Sequence, residues 1–152
     1  TACGARGGRT VSPQSRLVAG VLLILMPAVV YGGASILSLL IGDPSYAKNE
    51  LRQDLWRAGH AHAGVLLVLS LITLRYVDEA ALPDGLKTLV RHSIPAAAVL
   101  LPVAFYLSVL SPRATEPNAM IYLAYAGAIS LAAGLLTLGV GLVRGARGTG
   151  RS

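Results

Sequence analysis

The chain has 152 residues, of which 54% are hydrophobic and only 13% are charged, and its formal net charge is +6. About 25% of the residues of an average soluble domain are charged, and a chain of this length cannot bury so much apolar surface in a core of its own. The composition excludes a soluble globular enzyme and indicates an integral membrane protein, in agreement with the mean hydropathy of +0.63.

Four apolar stretches are long enough to cross about 30 Å of hydrocarbon at about 1.5 Å per residue. They predict an all-α fold, a polytopic membrane protein built as a bundle of four transmembrane helices in contact with the lipid bilayer. This domain is expected over residues 16–144, between a disordered basic tail at 1–15, which contains Cys3, and a basic C-terminal tail at 145–152. The stretches are Leu17–Ile41, Trp56–Tyr76, Ile94–Leu110 and Ala119–Val143.

The loop between the first two spans begins with a helix stop. Asp43 followed by Pro44 is expected to end the first helix, because a residue before proline disfavours helical geometry. The run from Ala47 predicts a short interfacial helix that leads into the second span. Trp56 at the start of that span is expected to lie among the lipid headgroups.

Two histidines occur where the second span begins, in the segment RAGHAHAG that runs from Arg57 to Gly64. Ionisable side chains inside a span are costly and are usually retained for a ligand, a proton or a partner. Residues two apart on a helix point about 200° from each other. His60 and His62 therefore cannot both hold one metal ion, and a two-histidine zinc site is not predicted.

A single axial ligand to haem iron fits this pattern, because one imidazole suffices for it. The small residues Gly59 and Ala63 would leave room for a flat macrocycle beside His60 or His62. The alternative is that these small residues admit another helix, with the histidines bonded to backbone or water. Both interpretations remain open at this point.

The third span begins with basic residues. The side chains of Lys87 and Arg91 are expected to extend to the headgroups, and no function is predicted for His92. Further along, Pro102 can bend the helix, and Tyr106 lies about one turn beyond it. The bend could aim this phenol into the bundle, or the ring could belong to a lipid-facing aromatic belt.

Polar side chains from several spans share the depth of the two histidines. They could form a site with Tyr106, or they could serve as interfacial aromatics and helix-packing residues. These residues are Tyr31, Ser35 and Ser38 in the first span and Asn118, Tyr122 and Tyr125 in the fourth.

Small residues recur in the fourth span as well as in the second. Such residues let helices approach closely, so they predict contacts beyond one bundle and therefore a homo-oligomer. The residues are Gly127, Gly134, Gly139 and Gly141 in the fourth span, and Gly59, Ala63 and Gly64 in the second.

Basic residues near the span ends indicate the orientation. With four spans both termini lie on one side, where nine of the 13 basic residues would lie. This bias predicts a multi-pass protein of the cell membrane with both termini in the cytoplasm. Anionic cytoplasmic lipid accounts for the net charge, so no nucleic-acid partner is predicted. The two groups are Arg6, Arg9, Arg16, Arg75, Lys87, Arg91, Arg144, Arg147 and Arg151, against Lys48, Arg52, Arg57 and Arg113.

Taken together, these motifs resemble those of a known family. The second span begins at Trp56 and continues through His62-Ala63-Gly64, and the third ends in Phe105-Tyr106-Leu107, followed shortly by Ser111-Pro112. With four short spans, this order is similar to that of the styrene oxide isomerase and hydroxylaminobenzene mutase group of membrane proteins, over roughly Arg16 to Arg144.

The resemblance implies a cofactor and site residues. Styrene oxide isomerases are trimers that hold haem b between subunits through a span-two histidine. The iron acts as a Lewis acid on the epoxide oxygen, and a span-three tyrosine positions the substrate. By motif, His62 would be the ligand of the haem iron and Tyr106 the catalytic substrate contact. His60 is the competing ligand, because a small rotation of the helix exchanges the two imidazoles.

The chain departs from the family pattern at two places. The isomerases carry Asn-Gly soon after the histidine, where this chain has Leu66-Leu67-Val68. An acidic residue and an asparagine precede their tyrosine, where this chain has an apolar run at 96–104. Haem binding could therefore persist without the epoxide chemistry.

Two functions remain from the sequence. The first is a membrane protein that binds haem b through a span-two histidine and acts as an epoxide-isomerase-like enzyme. The second is a non-catalytic accessory or assembly subunit of a larger membrane complex, which the short loops and sparse polar groups favour. A transporter or channel has less support, because no paired charges or internal repeat line a path.

Overall fold

The computed structural model describes residues 11–149, which form helices joined by short loops. The helices are α1 (Pro13–Gly42), α2 (Pro44–Ala47), α3 (Glu50–Val77), α4 (Asp84–Ser108), a 3₁₀ helix (Ala119–Tyr122) and α5 (Leu123–Thr149). Four of them, α1, α3, α4 and the 3₁₀ helix with α5, are long and apolar enough to cross a membrane. The predicted all-α bundle of four spans is confirmed, and the chain is a multi-pass membrane protein. Residues 1–10, with Cys3, and 150–152 lie outside the described residues.

Local capping sets where the helices begin and end. The hydroxyl of Ser12 accepts a hydrogen bond from the N–H of Ser15, so α1 begins at Pro13, inside the segment predicted as a tail. The predicted stop at Asp43 is confirmed, and its carboxylate accepts hydrogen bonds from the hydroxyl and the N–H of Ser45. These bonds, the hydroxyl's first, lower the pKa of Asp43. Asn49 then caps α3. The helix predicted from Ala47 therefore begins at Glu50, and it continues without a break into the second span.

The four long helices are not packed equally. α4 packs against both α3 and α5, whereas α1 packs mainly against α3 and hardly touches α4. In its most apolar stretch only 6% of the α1 residues are buried, against 50% for α4. The main core joins α1, α3 and α4 and consists of Leu22, Leu66, Leu67, Leu74, Ala97, Ala98 and Leu101. α1 is thus the edge of the bundle.

Glycines allow α5 to lie close to α4 and to the preceding loop. A Cβ at Gly127 would lie 2.9 Å from Leu101 Cγ, and one at Gly134 would lie 2.7 Å from Ile94 Cγ1. A Cβ at Gly141 would meet Leu82, whereas Gly139 faces open space. Three of the four span-four glycines therefore serve packing within the subunit.

A buried polar cluster joins three helices at the end of the bundle near the termini. Arg91 Nη2 lies 2.6 Å from Asp78 Oδ1, and Arg91 Nε–H donates to Ser15 Oγ over 3.1 Å. The N–H of Ser12 donates to the other carboxylate oxygen of Asp78 over 2.9 Å. The prediction that Arg91 extends to the headgroups is wrong, because the carboxylate at the end of α3 pairs with it inside the bundle, where Arg91 is only 8% exposed.

At the opposite end Tyr46 is fully buried, and its hydroxyl has no hydrogen-bond partner among the described residues. Burial raises the pKa of this phenol.

A buried, unbonded hydroxyl costs about 1–3 kcal/mol, so Tyr46→Phe is expected to raise the free energy of unfolding by about 1 kcal/mol. Denaturant titration in detergent micelles, followed by circular dichroism, measures the change. Tyr122→Phe, at an exposed ring, is the control, and a destabilised Tyr46→Phe protein would contradict the account.

Candidate functional site

A cavity of about 260 Å³ lies between α1, α3 and α4, toward the end of the bundle where α3 begins and α4 ends. Its walls are apolar except for two side chains, His60 and Tyr106. The cavity is partly open to the surface of the bundle. The lining residues are Leu25, Ala28, Val29, Gly32, His60, Ala63, Leu67, Ala98, Val99 and Tyr106.

The two polar side chains face the same point on α1. A Cβ at Gly32 would lie 3.8 Å from Tyr106 Oη and 3.9 Å from His60 Nδ1. Neither group forms a hydrogen bond with another described residue. Both polar groups therefore remain available to a molecule in the cavity, and one small polar group placed there would be near both.

Small residues on two helices make this arrangement possible. A Cβ at Gly33 would lie 2.9 Å from Cε1 and Nε2 of His60, so the imidazole packs directly against the backbone of α1. A Cβ at Gly59 would lie 3.2 Å from Tyr106 Cε2, and Ala63 lines the cavity. Gly59 thus serves helix packing, whereas Ala63 borders the cavity.

His62 lies outside the cavity. Its ring is exposed on the other side of α3, with Nδ1 2.7 Å from the carbonyl oxygen of Ala58 and the ring 5.2 Å from that of Phe105. His92 is also exposed, and its Nδ1 lies 2.8 Å from the carbonyl oxygen of Thr88. The structure therefore brings His60 and Tyr106 together and leaves His62 on the outer surface.

Most of the polar residues predicted at this depth face outward. The rings of Tyr31, Tyr122 and Tyr125 are exposed on the surface of the bundle, as expected for an aromatic belt. The hydroxyl of Ser35 donates a hydrogen bond to the carbonyl of Tyr31, one turn earlier in the same helix. The sequence reasoning missed Gly32 and Gly33, although two adjacent glycines inside an apolar span were a readable signal of close approach.

The side chain of Trp56, predicted to lie among the headgroups, is half-buried beside the site. Its indole N–H donates to the carbonyl oxygen of Tyr106 over 3.3 Å, and the two rings meet edge to face with centroids 5.8 Å apart. α3 extends to Glu50, which places Trp56 almost two turns inside the helix.

The glycine pair on α1 gives a matched test of this geometry. Gly33→Ala places a methyl group against the His60 ring, whereas Gly32→Ala makes ordinary contacts. Both changes gain about the same helix propensity, about 1 kcal/mol. The difference between the two unfolding free energies therefore measures the clash of the new methyl group with the His60 ring. We expect Gly33→Ala to be less stable than Gly32→Ala by about 1–2 kcal/mol in detergent unfolding experiments. Equal stabilities would contradict the contact between His60 and α1.

The arrangement offers one nitrogen donor and one phenol in apolar surroundings. Among residues 11–149 no three His, Cys, Asp or Glu side chains come together to hold a metal ion, so His60 would act as a lone protein ligand. Comparison with protein-family models, with curated proteins and with solved structures finds no match for this chain.

Proposed function

We propose that the protein is a haem-b-dependent membrane enzyme of the epoxide-isomerase type, with His60 as the ligand of the haem iron and Tyr106 as the catalytic substrate contact. One observation carries this proposal: both side chains face one apolar cavity between α1, α3 and α4, without protein hydrogen-bond partners among the described residues. An ionisable group at this depth is costly unless it has a partner, and a bound cofactor would supply one.

A single imidazole in apolar surroundings fits haem, but the volume of the cavity limits how much of the macrocycle it can enclose. One imidazole suffices as axial ligand, and the apolar walls suit a macrocycle. Cofactor pockets usually measure about 300–1,000 Å³, so a cavity of about 260 Å³ cannot enclose haem b by itself. Part of the macrocycle would have to extend out of the cavity through its opening. When bound, the iron supplies a Lewis acid for a substrate oxygen.

His62 is the alternative ligand that the resemblance implies. Because its ring is exposed on the outside of α3, it would hold haem only where this surface meets another subunit. His60 is preferred because it shares its cavity with Tyr106.

The chain's own residues suit an isomerisation. Converting an epoxide to its isomeric carbonyl compound breaks a C–O bond and moves one hydrogen to the neighbouring carbon, with no atoms gained or lost. No water is needed, and walls such as Leu25, Val29 and Val99 offer it no hydrogen bonds. The Tyr106 hydroxyl would donate a hydrogen bond to the substrate oxygen as charge develops there.

Turnover of a small aryl epoxide tests the enzymatic part. We expect the haem-loaded protein in detergent to convert it to the isomeric aldehyde. Tyr106→Phe should lower kcat about 100-fold, since a lost hydrogen-bond donor to developing charge costs about that much. Tyr122→Phe, at an exposed ring, should leave kcat unchanged. A haem-loaded wild-type protein that converts no epoxide would refute the isomerase assignment.

The proposed location is the cell membrane, with both termini in the cytoplasm and the 43–49 loop outside. It rests on the nine-to-four distribution of Lys and Arg. Ser45 is exposed in this loop, so Ser45→Cys in a Cys3→Ser background should react with an impermeant thiol reagent added outside intact cells. Labelling from the cytoplasmic side only would reverse the orientation.

We also propose a homo-oligomer, with a trimer as the form that the resemblance implies. The exposed face of α1 beside the open cavity leaves surface for a second copy, and haem extending from the cavity would be covered there. Native mass measurements in detergent should show more than one copy. A monomeric mass for the haem-loaded protein would contradict this.

The exposed face of α1 also favours a second function, that of a non-catalytic accessory or assembly subunit of a larger membrane complex. In that case the face would be covered by a different protein. Stable co-purification with larger partners, together with a colourless protein, would support this function over the enzyme.

A further inference from the structure

The end of α4 that carries Tyr106 is held from outside the helix. A helix leaves its last four carbonyl groups without intrahelical donors, and α4 ends at Ser108. The carbonyl of Tyr106 is one of these four, so the donor that reaches it helps to decide where this residue lies.

Side chains from α3 and from the following loop supply donors to this end. The indole N–H of Trp56 donates to the carbonyl of Tyr106 over 3.3 Å, and Arg52 Nε–H donates to that of Val109 over 3.2 Å. Asn118 satisfies two further carbonyls, those of Leu107 and Ser108. The cation of Arg52 also lies favourably at the negative end of the helix dipole.

Arg52 in turn fixes the ring of Trp56. Its guanidinium carbon lies 4.7 Å from the centre of that ring and 5.6 Å from the centre of the Tyr46 ring. Arg52 is only 5% exposed, and no carboxylate of the described residues forms a salt bridge with it. A buried cation of this kind depends on its carbonyl acceptor and on the aromatic faces, so Arg52 holds one face of the indole in place.

Trp56 contacts Tyr106 twice, through the carbonyl and through the ring. The two rings are inclined at 63°, and on another side the Tyr106 ring lies against Gly59. These contacts restrict both the backbone and the side-chain direction of Tyr106. We propose that Trp56, backed by Arg52, is a positioning residue that aims the Tyr106 hydroxyl at the cavity; the proposal rests on the proposed function of Tyr106.

The first test needs no activity. Trp56→Phe keeps an aromatic ring and removes the indole N–H. By hydrogen–deuterium exchange followed by mass spectrometry, we expect amide exchange in peptides covering 105–110 to accelerate about fivefold, the loss of one hydrogen bond. Peptides from the middle of α5 should not change. Unchanged exchange at 105–110 would overturn the proposal.

The second test is a double-mutant cycle on epoxide turnover. Trp56→Phe should lower kcat about tenfold in the wild-type background, because displacement of a reacting group is costly, with KM unchanged. In a Tyr106→Phe background it should lower kcat less than twofold, since no hydroxyl is left to position. Asn118→Ala, which removes the side-chain donor to the neighbouring carbonyl of Leu107, should have equal effects in both backgrounds.

The outcomes separate the two hypotheses. An equal loss from Trp56→Phe in both backgrounds would mean that Trp56 acts independently of the hydroxyl, and would overturn the positioning role. A wild-type protein with neither haem nor turnover would refute the proposed function, and with it the positioning of a substrate contact. The exchange measurement would still decide whether Trp56 holds the end of α4.

Discussion

Replacing His60 with alanine is expected to abolish the Soret band of the haem-loaded protein, whereas replacing His62 with alanine should leave it in place. His60 lines the cavity, and its ring nitrogens have no protein hydrogen-bond partner among the described residues. His62 is exposed, and its Nδ1 lies within hydrogen-bond distance of Ala58. Absorption spectra of the two variants after identical haemin treatment measure the difference.

Two further variants serve as controls for the ligand. His92→Ala, at the opposite end of the bundle, should keep the spectrum of the wild type, and so should Tyr106→Phe, because the phenol is proposed to contact substrate rather than iron. In the reverse pattern, His62→Ala loses the Soret band and His60→Ala retains it. That result would make His62, on the exposed surface, the ligand of the haem iron and would support haem binding between subunits.

Replacing Asp78 with alanine is expected to lower the free energy of unfolding by about 3–5 kcal/mol, because it leaves the buried guanidinium of Arg91 without its carboxylate. Glu79→Ala is the matched control, since it removes the adjacent carboxylate from a largely exposed pair with Arg75 and should cost at most about 1 kcal/mol. Unfolding in mixed micelles compares the two. Equal losses would show that the cluster of Asp78 and Arg91 contributes little.

The same cluster predicts how stability depends on pH. Burial alone would raise the pKa of Asp78, but hydrogen bonds from the N–H of Ser12 and from Arg91 outweigh it and lower the pKa. The stabilisation is therefore present above the unfolded-state pKa of about 3.9 and is lost as the pH falls through the lower folded-state value. Asp78→Asn should remove this part of the acid sensitivity, and an unchanged pH profile would contradict it.

The fold could be predicted from the sequence because lipid imposes span length directly. The start of α1 at Pro13 was not predicted, although Ser12 followed by Pro13 is a local signal for the start of a helix. Arg91 was misplaced for a different reason: its position near the start of the third span does not reveal a carboxylate packed beside it.

The candidate site was predictable in part. Spacing alone predicted that His60 and His62 face different sides. The order of the four spans across the membrane predicted that Tyr106 lies at the same depth. Which imidazole faces the bundle depends on the rotation of α3, and contacts with Gly33 of α1 and Phe105 of α4 set that rotation. These contacts join residues far apart in the chain, so no local pattern contains them.

Titration of the detergent-purified protein with haemin decides whether His60 binds haem. Trp56 is the only tryptophan in the chain and touches Tyr106 beside the cavity, so haem held at His60 would quench its emission. We expect a Soret band that grows, and a Trp56 emission that falls, to saturation at the same haemin concentration, with neither change in His60→Ala. A wild-type protein that stays colourless, with unchanged Trp56 emission, would contradict haem binding at His60.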